Sequence, residues 1–417
     1  MTIEPRVVVT GIGVISSVGI GKEAFWESLL EGRSGVSKVE RFDTSRYGID
    51  IGAEVKDFEA GRFFGSRESR RIGRGAQFAI AAARLAVEDA GLQIAERGGI
   101  GLSVCLGTTM ADVQSLEVLI DAVATSGICS RPLLHRYAAQ YPSCMMAAQL
   151  SDAMGAHGSM FMFPTACAAG NYAIAYGSDL LRLRKADVVL AGGVDPFSRT
   201  AFTGFGRIGA LASERCRPFD RHRDGIVLGE GAGIMILERL EDALARGAVP
   251  YAEVLGYGMS CDANHMTIPQ TDGIIMAMRN ALQDAGITPS DVSYISAHGT
   301  GTPANDRTEC AAIRSVFGEW ASQVPLSSIK SMIGHSMGAA SALEAIVCAL
   351  AVKTNQIPPT INHETPDPEC DLDCVPNQSR QLEANVALNN SFAFGGNNAC
   401  VVFGKYRAWN DSLDDGN

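Results

Sequence analysis

One cysteine stands among small residues, directly before an apolar helical pattern. It is Cys167 in "TACAAG" (165–170), and the pattern continues through "NYAIAYGSDLL". Small neighbours leave room for a substrate beside the sulfur. The unpaired N–H groups at the start of a helix favour a thiolate and can also bind an oxyanion. Cys167 is therefore a candidate nucleophile, although a buried structural cysteine would fit the same pattern.

Two histidines lie in similar surroundings further along the chain. His298 stands in "SAHGTGTPANDRTE" and His335 in "SSIKSMIGHSMGAA", five residues after Lys330. A histidine in a loop rich in glycine and threonine suits hydrogen-bonding chemistry better than a histidine packed in a core does. Only proximity in the fold would make the cysteine and the two histidines one site.

The segment "GHSMG" (334–338) fits the G-x-S-x-G pattern of serine hydrolases, in which an acid and then a histidine follow the serine. After Ser336 the remaining histidine is His363, and the acid between them is Glu344. Glu344 would lie about 12 Å further along the same helical run, too far to orient a histidine for Ser336. We predict that Ser336 caps or packs the start of this helix.

Other partial motifs also fail. "GIGVIS" (11–16) has Ser16 where a dinucleotide fingerprint requires glycine, and "GEGAG" (229–233) lacks the lysine of a phosphate loop. We interpret both as tight turns. Cys370 and Cys374 have a C-x-x-x-C spacing but no second pair, which is a weak zinc signal. We therefore predict no metal site.

The elements around these residues alternate between β-branched runs, such as "ADVVLAGGV", and Ala-rich helical patterns, such as "GAQFAIAAARLAVEDAG". This alternation predicts an α/β fold with largely buried sheets.

The two halves also echo each other. "RVVVTGIGVISS" resembles "YAEVLGYGMSCD", and "GEGAGIMILE" resembles "FGGNNACVVF". We infer an internal duplication with domains 1–250 and 251–408, followed by a disordered tail at 409–417.

Composition excludes several classes of function. A net charge of -11 argues against non-specific binding to nucleic acids or anionic membranes. The start "MTIEPRVVVTGIGVIS" has no signal-peptide pattern. "MGAASALEAIVCALAV" carries Glu344 and is short for a membrane span, so we predict a buried helix there. We expect a cytoplasmic protein with reduced cysteines.

Four segments together resemble one known family. "TACAAG", "HGTGTPANDRTE", "KSMIGHSMGAASALEA" and "NSFAFGGNN" occur in the order and spacing of the β-ketoacyl-acyl-carrier-protein synthases of the thiolase superfamily, closest to the type II condensing enzymes. The resemblance covers about residues 5–405. It implies thiolase-like duplicated α/β halves that form a layered α-β-α-β-α core.

The resemblance implies a role for each site residue. Cys167 would accept an acyl chain from a carrier-protein thioester. His298 and His335 would bind the malonyl thioester and stabilise the enolate released on decarboxylation, which then attacks the acyl group. Backbone N–H groups of Cys167 and Phe394 would form the oxyanion hole.

Further residues match supporting parts of the family's site. Lys330, Glu309 and Asp306 match buried charged residues that order the histidines. Thr300 and Thr302 match hydroxyls that hold the phosphopantetheine arm, which the carrier protein delivers, so the resemblance implies no resident cofactor.

The gate of the family's site also has a counterpart. Phe394 matches a gating phenylalanine, but Ala393 replaces the family's usual glycine and Asn397 its usual threonine. Because glycine permits backbone angles that alanine resists, we expect a stiffer gate.

The implied partner is an acidic acyl carrier protein, so docking requires a basic patch on this net negative chain. Arg67, Arg70, Arg71 and Arg74 would share one face of a helix, and Arg207 is a further candidate. A merely solvated charged face fits as well.

Two alternative functions and one question of assembly stay open. A degradative thiolase would use a second catalytic cysteine, for which Cys400 lacks the context. A chain-length-factor-like subunit would lack the nucleophile. The chain itself forms either a homodimer or a heterodimer with such a factor. "GTTMADVQ" and "FTGFGRIGALA" resemble polyketide or polyene synthases more than housekeeping fatty-acid enzymes.

Overall fold

The computed structural model describes residues 4–65, 69, 71–93, 101–128, 130–138 and 140–406 of the 417-residue chain. The predicted tail at 409–417 and the predicted docking residues Arg67 and Arg70 lie outside the described residues.

The strands, in chain order, are β1 Val7–Ser16, β2 Gly19–Ile20, β3 Ser37–Lys38, β4 Ile51–Gly52, β5 Leu102–Gly107, β6 Met160–Phe163, β7 Val188–Asp195, β8 Gly231–Arg239, β9 Ala252–Cys261, β10 Tyr294–Ser296, β11 Leu326–Ser327, β12 Gln356–Ile357, β13 Arg380–Gln381, β14 Val386–Phe392 and β15 Asn397–Gly404. The α-helices are α1 Lys22–Leu30, α2 Arg74–Asp89, α3 Val113–Ser126, α4 Arg131–Ala138, α5 Cys144–Met154, α6 Ala169–Arg182, α7 Arg199–Arg207, α8 Leu240–Ala245, α9 Thr271–Asp284, α10 Pro303–Phe317, α11 Lys330–Ile333 and α12 Ala340–Thr354.

Most of the strands form one sheet with two matching halves. Its order is β11-β10-β14-β15-β9-β1-β8-β7-β5-β6, with β2 beside β1. The antiparallel pair β1–β9 joins the halves. In each half the outer neighbours pair in parallel (β6-β5-β7 and β11-β10-β14), and the inner neighbours pair antiparallel (β7-β8-β1 and β14-β15-β9). The two sequence echoes coincide with β1 and β9 and with β8 and β15. The predicted duplication of α/β halves is confirmed.

The helices complete five layers. α6 and α12 lie between the half-sheets, α2 covers the outer face of the first half, and α9 and α10 cover the outer face of the second. Side chains from both half-sheets, such as Val189 and Val401, pack with α6 and α12 in one central cluster. Two further clusters fill the outer faces. This is the predicted α-β-α-β-α order.

The most apolar segment of the chain is the central helix. The stretch Met337–Thr354 is long and apolar enough to cross a membrane by length and composition, but 89% of it is buried inside the protein. A helix that is apolar on all sides belongs in a core when protein surrounds it. The prediction of a buried helix is confirmed.

The tight-turn interpretation of the two glycine motifs was wrong. Residues 11–16 lie within β1, where Gly13 faces α2, and a Cβ there would come within 1.8 Å of the Ala82 carbonyl oxygen. Glycine therefore permits close packing of strand on helix at this position. Residues 229–233 lead into β8, and the carboxylate of Glu230 is buried and pairs with Arg74.

Candidate active site

A pocket of about 320 Å³ opens between the two halves and contains the candidate nucleophile. Cys167 lies in a short 3-10 turn, Ala166–Ala168, immediately before α6, and it is 5% exposed. Ala166 adopts a left-handed conformation with φ of 51°, which residues other than glycine rarely adopt. The sharp turn directs the sulfur into the pocket instead of into the core.

The structure brings the three predicted catalytic residues together. His335 Nε2 lies 3.1 Å from Cys167 Sγ, and the rings of His298 and His335 stand 5.6 Å apart at 85°. One donor atom from each of the three residues lies within 4.8 Å of the others. The two halves of the chain thus contribute one site, with the cysteine from the first half and the histidines from the second.

The hydrogen bonds of each ring fix where its proton resides. The Met337 N–H donates to Nδ1 of His335 at 3.2 Å, and Lys330 Nζ lies 3.4 Å from Nδ1 of His298. When Nδ1 accepts, a neutral imidazole carries its proton on Nε2. Burial and the charge of Lys330 lower the pKa of both histidines well below the usual value. Both rings are therefore neutral N–H donors, suited to stabilising a developing oxyanion.

The buried partner of Lys330 is Glu344, which sequence reasoning missed. The two side chains form a salt bridge and are each 1% exposed. Burial raises the pKa of Glu344 to about 7, although Lys330 acts in the opposite direction. A signal was present in the sequence, because a lone acid inside a long apolar helix must find a partner.

Glu309 and Asp306 act on the backbone of the His298 loop and not on its ring. Glu309 accepts the N–H groups of His298 and Gly299, both at 2.8 Å. Asp306 accepts the N–H groups of Phe219 and Gly301 at 2.9 and 3.2 Å. Both carboxylates are fully buried. They hold the loop in the shape that presents His298 to the pocket.

The electrostatics of Cys167 differ from the expectation of a helix-activated thiolate. Burial raises the pKa of the thiol to about 12, whereas Lys330 and the backbone N–H groups of Phe394 and Cys167 lower it. Those two amides therefore act on the sulfur, and the oxyanion hole that they would form stays a prediction. The resting site holds a protonated thiol, because burial outweighs the groups that favour the thiolate.

This electrostatic balance predicts how Cys167 reacts with pH. Alkylation of Cys167 by iodoacetamide, followed by peptide mass spectrometry, should rise about tenfold per pH unit from pH 6 to 9 without a plateau. Exposed Cys144, alkylated in the same samples, is the internal control for the amount of active reagent. A plateau for Cys167 below pH 8 would show instead that the helix terminus dominates.

The two threonines line the same pocket. The hydroxyls of Thr300 and Thr302 lie 2.9 Å apart, and Thr302 also caps the start of α10 by accepting the Asn305 N–H at 3.4 Å. Both residues therefore line the pocket that holds Cys167, and their contact with a phosphopantetheine arm stays a prediction.

Phe394 lies at the mouth of the pocket. The residue is 36% exposed, and its ring stacks on Phe205 of α7, with the ring centroids 5.7 Å apart. The next two residues, Gly395 and Gly396, have left-handed φ angles of 88° and 78°. The Gly395 N–H donates to the Met266 carbonyl at 2.7 Å. The turn that carries Phe394 is therefore tied to Met266, which also lines the pocket.

Ala393 packs against the nucleophile. It is 7% exposed and belongs to a small apolar cluster with Cys167, Ala168 and Ala399. Its φ is not among the positive values of the described residues, so alanine is unstrained in this conformation. Any difference from glycine must therefore arise when the turn moves.

We expect Ala393→Gly to speed acylation of Cys167 about 2- to 10-fold, because glycine gives the turn access to more backbone conformations. Stopped-flow or quenched acylation assays measure this rate directly. Ala399→Gly, a change in the same apolar cluster but outside the turn, is the control. Equal acylation rates for the wild type and Ala393→Gly would contradict a stiff gate.

The three described arginines of the predicted docking patch differ in exposure. Arg71 is exposed, and Arg207 is exposed at the end of α7, two residues after pocket-lining Phe205. Arg74, in contrast, is directed into the protein. Its guanidinium donates to Glu230 at 2.8 and 2.9 Å and lies 4.3 Å from the ring centre of Phe78. The inclusion of Arg74 in a docking patch was wrong, because a buried carboxylate takes up its charge.

Ser336 is fully buried at the start of the short turn before α12. Its hydroxyl has no hydrogen-bond partner among the described residues and does not cap the turn. Ser336 therefore packs at the start of this helix and does not cap it.

Cys167, His298 and His335 are also spaced so that they could bind a metal ion. Catalytic zinc sites use such donors. The set includes no carboxylate, and the Lys330 ammonium lies 3.4 Å from a nitrogen of His298. A fixed positive charge at this distance disfavours a dication. The three groups therefore fit a nucleophile with two N–H donors better than a metal centre.

Comparisons with known proteins agree with this geometry. Residues 4–243 match the family model "Beta-ketoacyl synthase, N-terminal domain", and residues 251–364 match "Beta-ketoacyl synthase, C-terminal domain". The 3-oxoacyl-[acyl-carrier-protein] synthase 2 of Synechocystis sp. is 43% identical over 415 residues, covering 96% of this chain and 98% of that protein. The enzyme of the same name from Staphylococcus aureus (strain COL) is 40% identical over 416 residues, covering 98% of this chain and 100% of that protein.

Solved structures extend the similarity to polyketide enzymes. The ishigamide ketosynthase/chain length factor superposes with a TM-score of 0.93 at 46% identity, covering 97% of this chain and 100% of that chain. The type II PKS acyl-carrier protein in complex with its ketosynthase, AntDE:AntF, gives a TM-score of 0.89 at 35% identity, with the same coverage of both chains. This chain belongs to the beta-ketoacyl synthase family and is an acyl-transferring condensing enzyme.

Proposed function

We propose that this chain catalyses the decarboxylative Claisen condensation of a Cys167-bound acyl chain with malonyl-acyl carrier protein, which gives 3-oxoacyl-acyl carrier protein and carbon dioxide. The observation that carries the proposal is the pocket in which the Cys167 sulfur lies within 4.8 Å of nitrogen atoms from two neutral imidazoles, beside two backbone amides that lower the pKa of the thiol. It fits a reaction that passes through a thioester and then through an enolate.

The first half-reaction is acyl transfer. The incoming thioester carbonyl binds the N–H groups of Cys167 and Phe394, and the Cys167 sulfur attacks its carbon. The bond from that carbon to the pantetheine sulfur breaks, and the pantetheine leaves as a thiol with the proton that Cys167 gives up. His335 Nε2–H, 3.1 Å from Sγ, stabilises negative charge on the Cys167 sulfur as it attacks.

The second half-reaction uses both histidines. Their Nε2–H groups donate to the malonyl thioester oxygen, the bond to the carboxylate breaks, and carbon dioxide leaves while the electron pair forms the enolate. The enolate carbon attacks the acyl carbonyl on Cys167, a carbon–carbon bond forms and the carbon–sulfur bond breaks. The released thiolate takes up a proton from solvent. Neutral rings suit this step, because they donate to the oxyanion without gaining or losing a proton.

The alternatives fit the site less well. Cys400, the second cysteine that a degradative thiolase would need, is fully buried in β15 and donates to Asn390 Oδ1 at 3.2 Å. It is not among the residues that line the described pocket. A non-catalytic subunit would not be expected to keep Cys167, His298 and His335 assembled.

The proposed carrier partner is an acidic acyl carrier protein that docks on Arg67, Arg70, Arg71 and Arg207. Arg207 supports this, because it is exposed beside the pocket mouth. The double charge reversal Arg70→Glu/Arg71→Glu should raise the KM for carrier-bound substrate about 10-fold or more at low salt and leave kcat nearly unchanged. Arg279→Glu, a reversal at an exposed arginine of α9, is the control. An unchanged KM in the double variant would count against the patch.

The proposed assembly is a homodimer or a heterodimer with a chain-length-factor-like subunit. The 46% identity to a protein described as a ketosynthase/chain length factor favours the heterodimer and a polyketide or polyene pathway over housekeeping fatty-acid synthesis. The proposal further includes no resident cofactor, since the carrier brings its own phosphopantetheine, a cytoplasmic location, and no role for membranes or nucleic acids.

Mass spectrometry of Cys167 after incubation with a panel of acyl carrier proteins tests the proposal. The panel should include saturated, unsaturated and 3-oxo acyl chains of several lengths. Acylation of Cys167 by at least one member is expected, and the preferred chain identifies the pathway. No acylation by any member would overturn the synthase function.

A further inference from the structure

Asp195 ends β7 and has a buried carboxylate that is completely hydrogen-bonded. It is 1% exposed. The N–H groups of Thr109 and Gly338 donate to Oδ2 at 2.7 and 2.6 Å. The Thr108 hydroxyl and the Met110 N–H donate to Oδ1 at 2.7 and 3.1 Å. Two donors on each oxygen approach the full acceptor capacity of an ionised carboxylate.

The carboxylate lies between two unusual turns from different halves of the chain. Ala111 in the first turn and Met337 in the second have left-handed φ angles of 53° and 57°, although neither is glycine. The turns are in direct contact, because a Cβ on Gly338 would come within 2.6 Å of the Thr109 nitrogen. Such conformations persist only where the surroundings hold them. Asp195 provides that support for both turns.

The second turn also contacts the catalytic ring of His335. Met337, whose N–H donates to Nδ1 of His335 at 3.2 Å, directly precedes Gly338. The backbone of His335 is anchored separately, because its N–H donates to Val227 at 2.6 Å and its carbonyl accepts from Gly229 at 2.9 Å. The hydrogen bond to Nδ1 therefore depends on the turn, whereas the position of the main chain does not.

We propose that Asp195 is a positioning residue for His335. By holding Gly338, it keeps the Met337 N–H on Nδ1 of His335 and thereby keeps the ring proton on Nε2, beside the Cys167 sulfur. The inference rests on the proposed function, which needs that Nε2–H as a donor. The same carboxylate holds Met110, which packs in one apolar cluster with Phe205 and Met337. One group thus fixes both the catalytic ring and part of the apolar wall near the pocket.

Asp195→Asn tests this with little change in shape. The side-chain NH₂ group of the asparagine must then face at least one N–H donor, so that hydrogen bond is lost. The ¹⁵N solid-state NMR spectrum of substrate-free protein labelled with ¹⁵N-histidine should show His335 as the Nε2–H tautomer in the wild type. In the variant, a population of the Nδ1–H tautomer should appear. We expect kcat for condensation to fall about 10- to 100-fold, because a small misplacement of a catalytic group has effects of this size.

Asp220→Asn is a matched control. Asp220 is also 1% exposed and accepts the N–H groups of His222, Glu364 and Thr365 at 2.7, 2.7 and 2.6 Å. Its replacement should lower the melting temperature but leave the His335 tautomer as in the wild type. In a His335→Asn background, Asp195→Asn should cost little further activity, because both changes act through one ring.

Thr108→Val keeps the inference testable if Asp195→Asn does not fold. It removes one of the four hydrogen bonds and should shift the tautomer in the same direction to a smaller extent. An unchanged tautomer in a folded Asp195→Asn or Thr108→Val variant would overturn the inference, as would equal losses of kcat for Asp195→Asn and Asp220→Asn. The tautomer is read without substrate, so a wild-type enzyme that failed to condense would overturn the proposed function and not this result.

Discussion

Cys167→Ser should reduce condensation by at least about 10³-fold, because a hydroxyl in this buried site has no neighbouring base to activate it. The nearest imidazole, His335, has its Nδ1 occupied by the Met337 N–H, and so presents a donor and not an acceptor to residue 167. A cysteine attacks thioesters as its thiolate, which forms far more readily than the alkoxide of serine. The serine oxygen therefore lacks this route. The measurement is product formation from acyl- and malonyl-carrier protein with purified enzyme.

The exposed Cys144→Ser is the control and should retain activity. Circular dichroism and the melting temperature should match the wild type for both variants, because serine fits the space of cysteine. A folded Cys167→Ser enzyme that retains more than a tenth of the wild-type rate would contradict covalent catalysis at this residue.

Replacement of either catalytic histidine should mainly slow decarboxylation. His298→Ala and His335→Ala each remove one donor from the enolate oxygen, and the loss of one such donor lowers the rate about 10²- to 10³-fold. Release of ¹⁴CO₂ from malonyl-carrier protein labelled in its free carboxylate measures this step. Acylation of Cys167 should be less affected by His298→Ala, since His335 is the ring hydrogen-bonded to the sulfur.

The exposed His157→Ala is the matched control for the histidine variants and should release carbon dioxide at the wild-type rate. If His298→Ala abolished acylation of Cys167 while decarboxylation continued, the roles assigned to the two rings would be wrong.

Local sequence pattern predicted much of this molecule. The alternation of strand-like and helical runs predicted the layers, and the faint internal echo coincided with strands β1, β9, β8 and β15. Short motifs singled out Cys167, His298 and His335 as candidates, and the resemblance of four segments to a known family assigned their roles.

Long-range partners were harder to predict. Arg74 follows three other arginines in sequence, yet its charge is taken up by Glu230, which is 156 positions away. Glu344 pairs with Lys330 across two helices, and Asp195 meets Gly338 across 143 positions. A buried charge pairs with whichever opposite charge the fold places beside it. Sequence spacing does not show which residue that is.

Desolvation was also invisible in the sequence. The start of a helix suggested an activated thiolate at Cys167, but the thiol is 5% exposed and burial raises its pKa to about 12. How far a group is removed from water depends on the whole pocket, to which both halves contribute.

The decisive step is the passage of the acyl chain through Cys167 on its way to product. A single-turnover experiment tests it most directly. Enzyme loaded with a ¹³C-labelled acyl chain is freed of donor, mixed with malonyl-acyl carrier protein, and quenched at intervals for intact mass spectrometry. The labelled adduct on Cys167 should disappear at the rate at which labelled 3-oxoacyl-carrier protein appears. Product that forms while the adduct persists would contradict the mechanism.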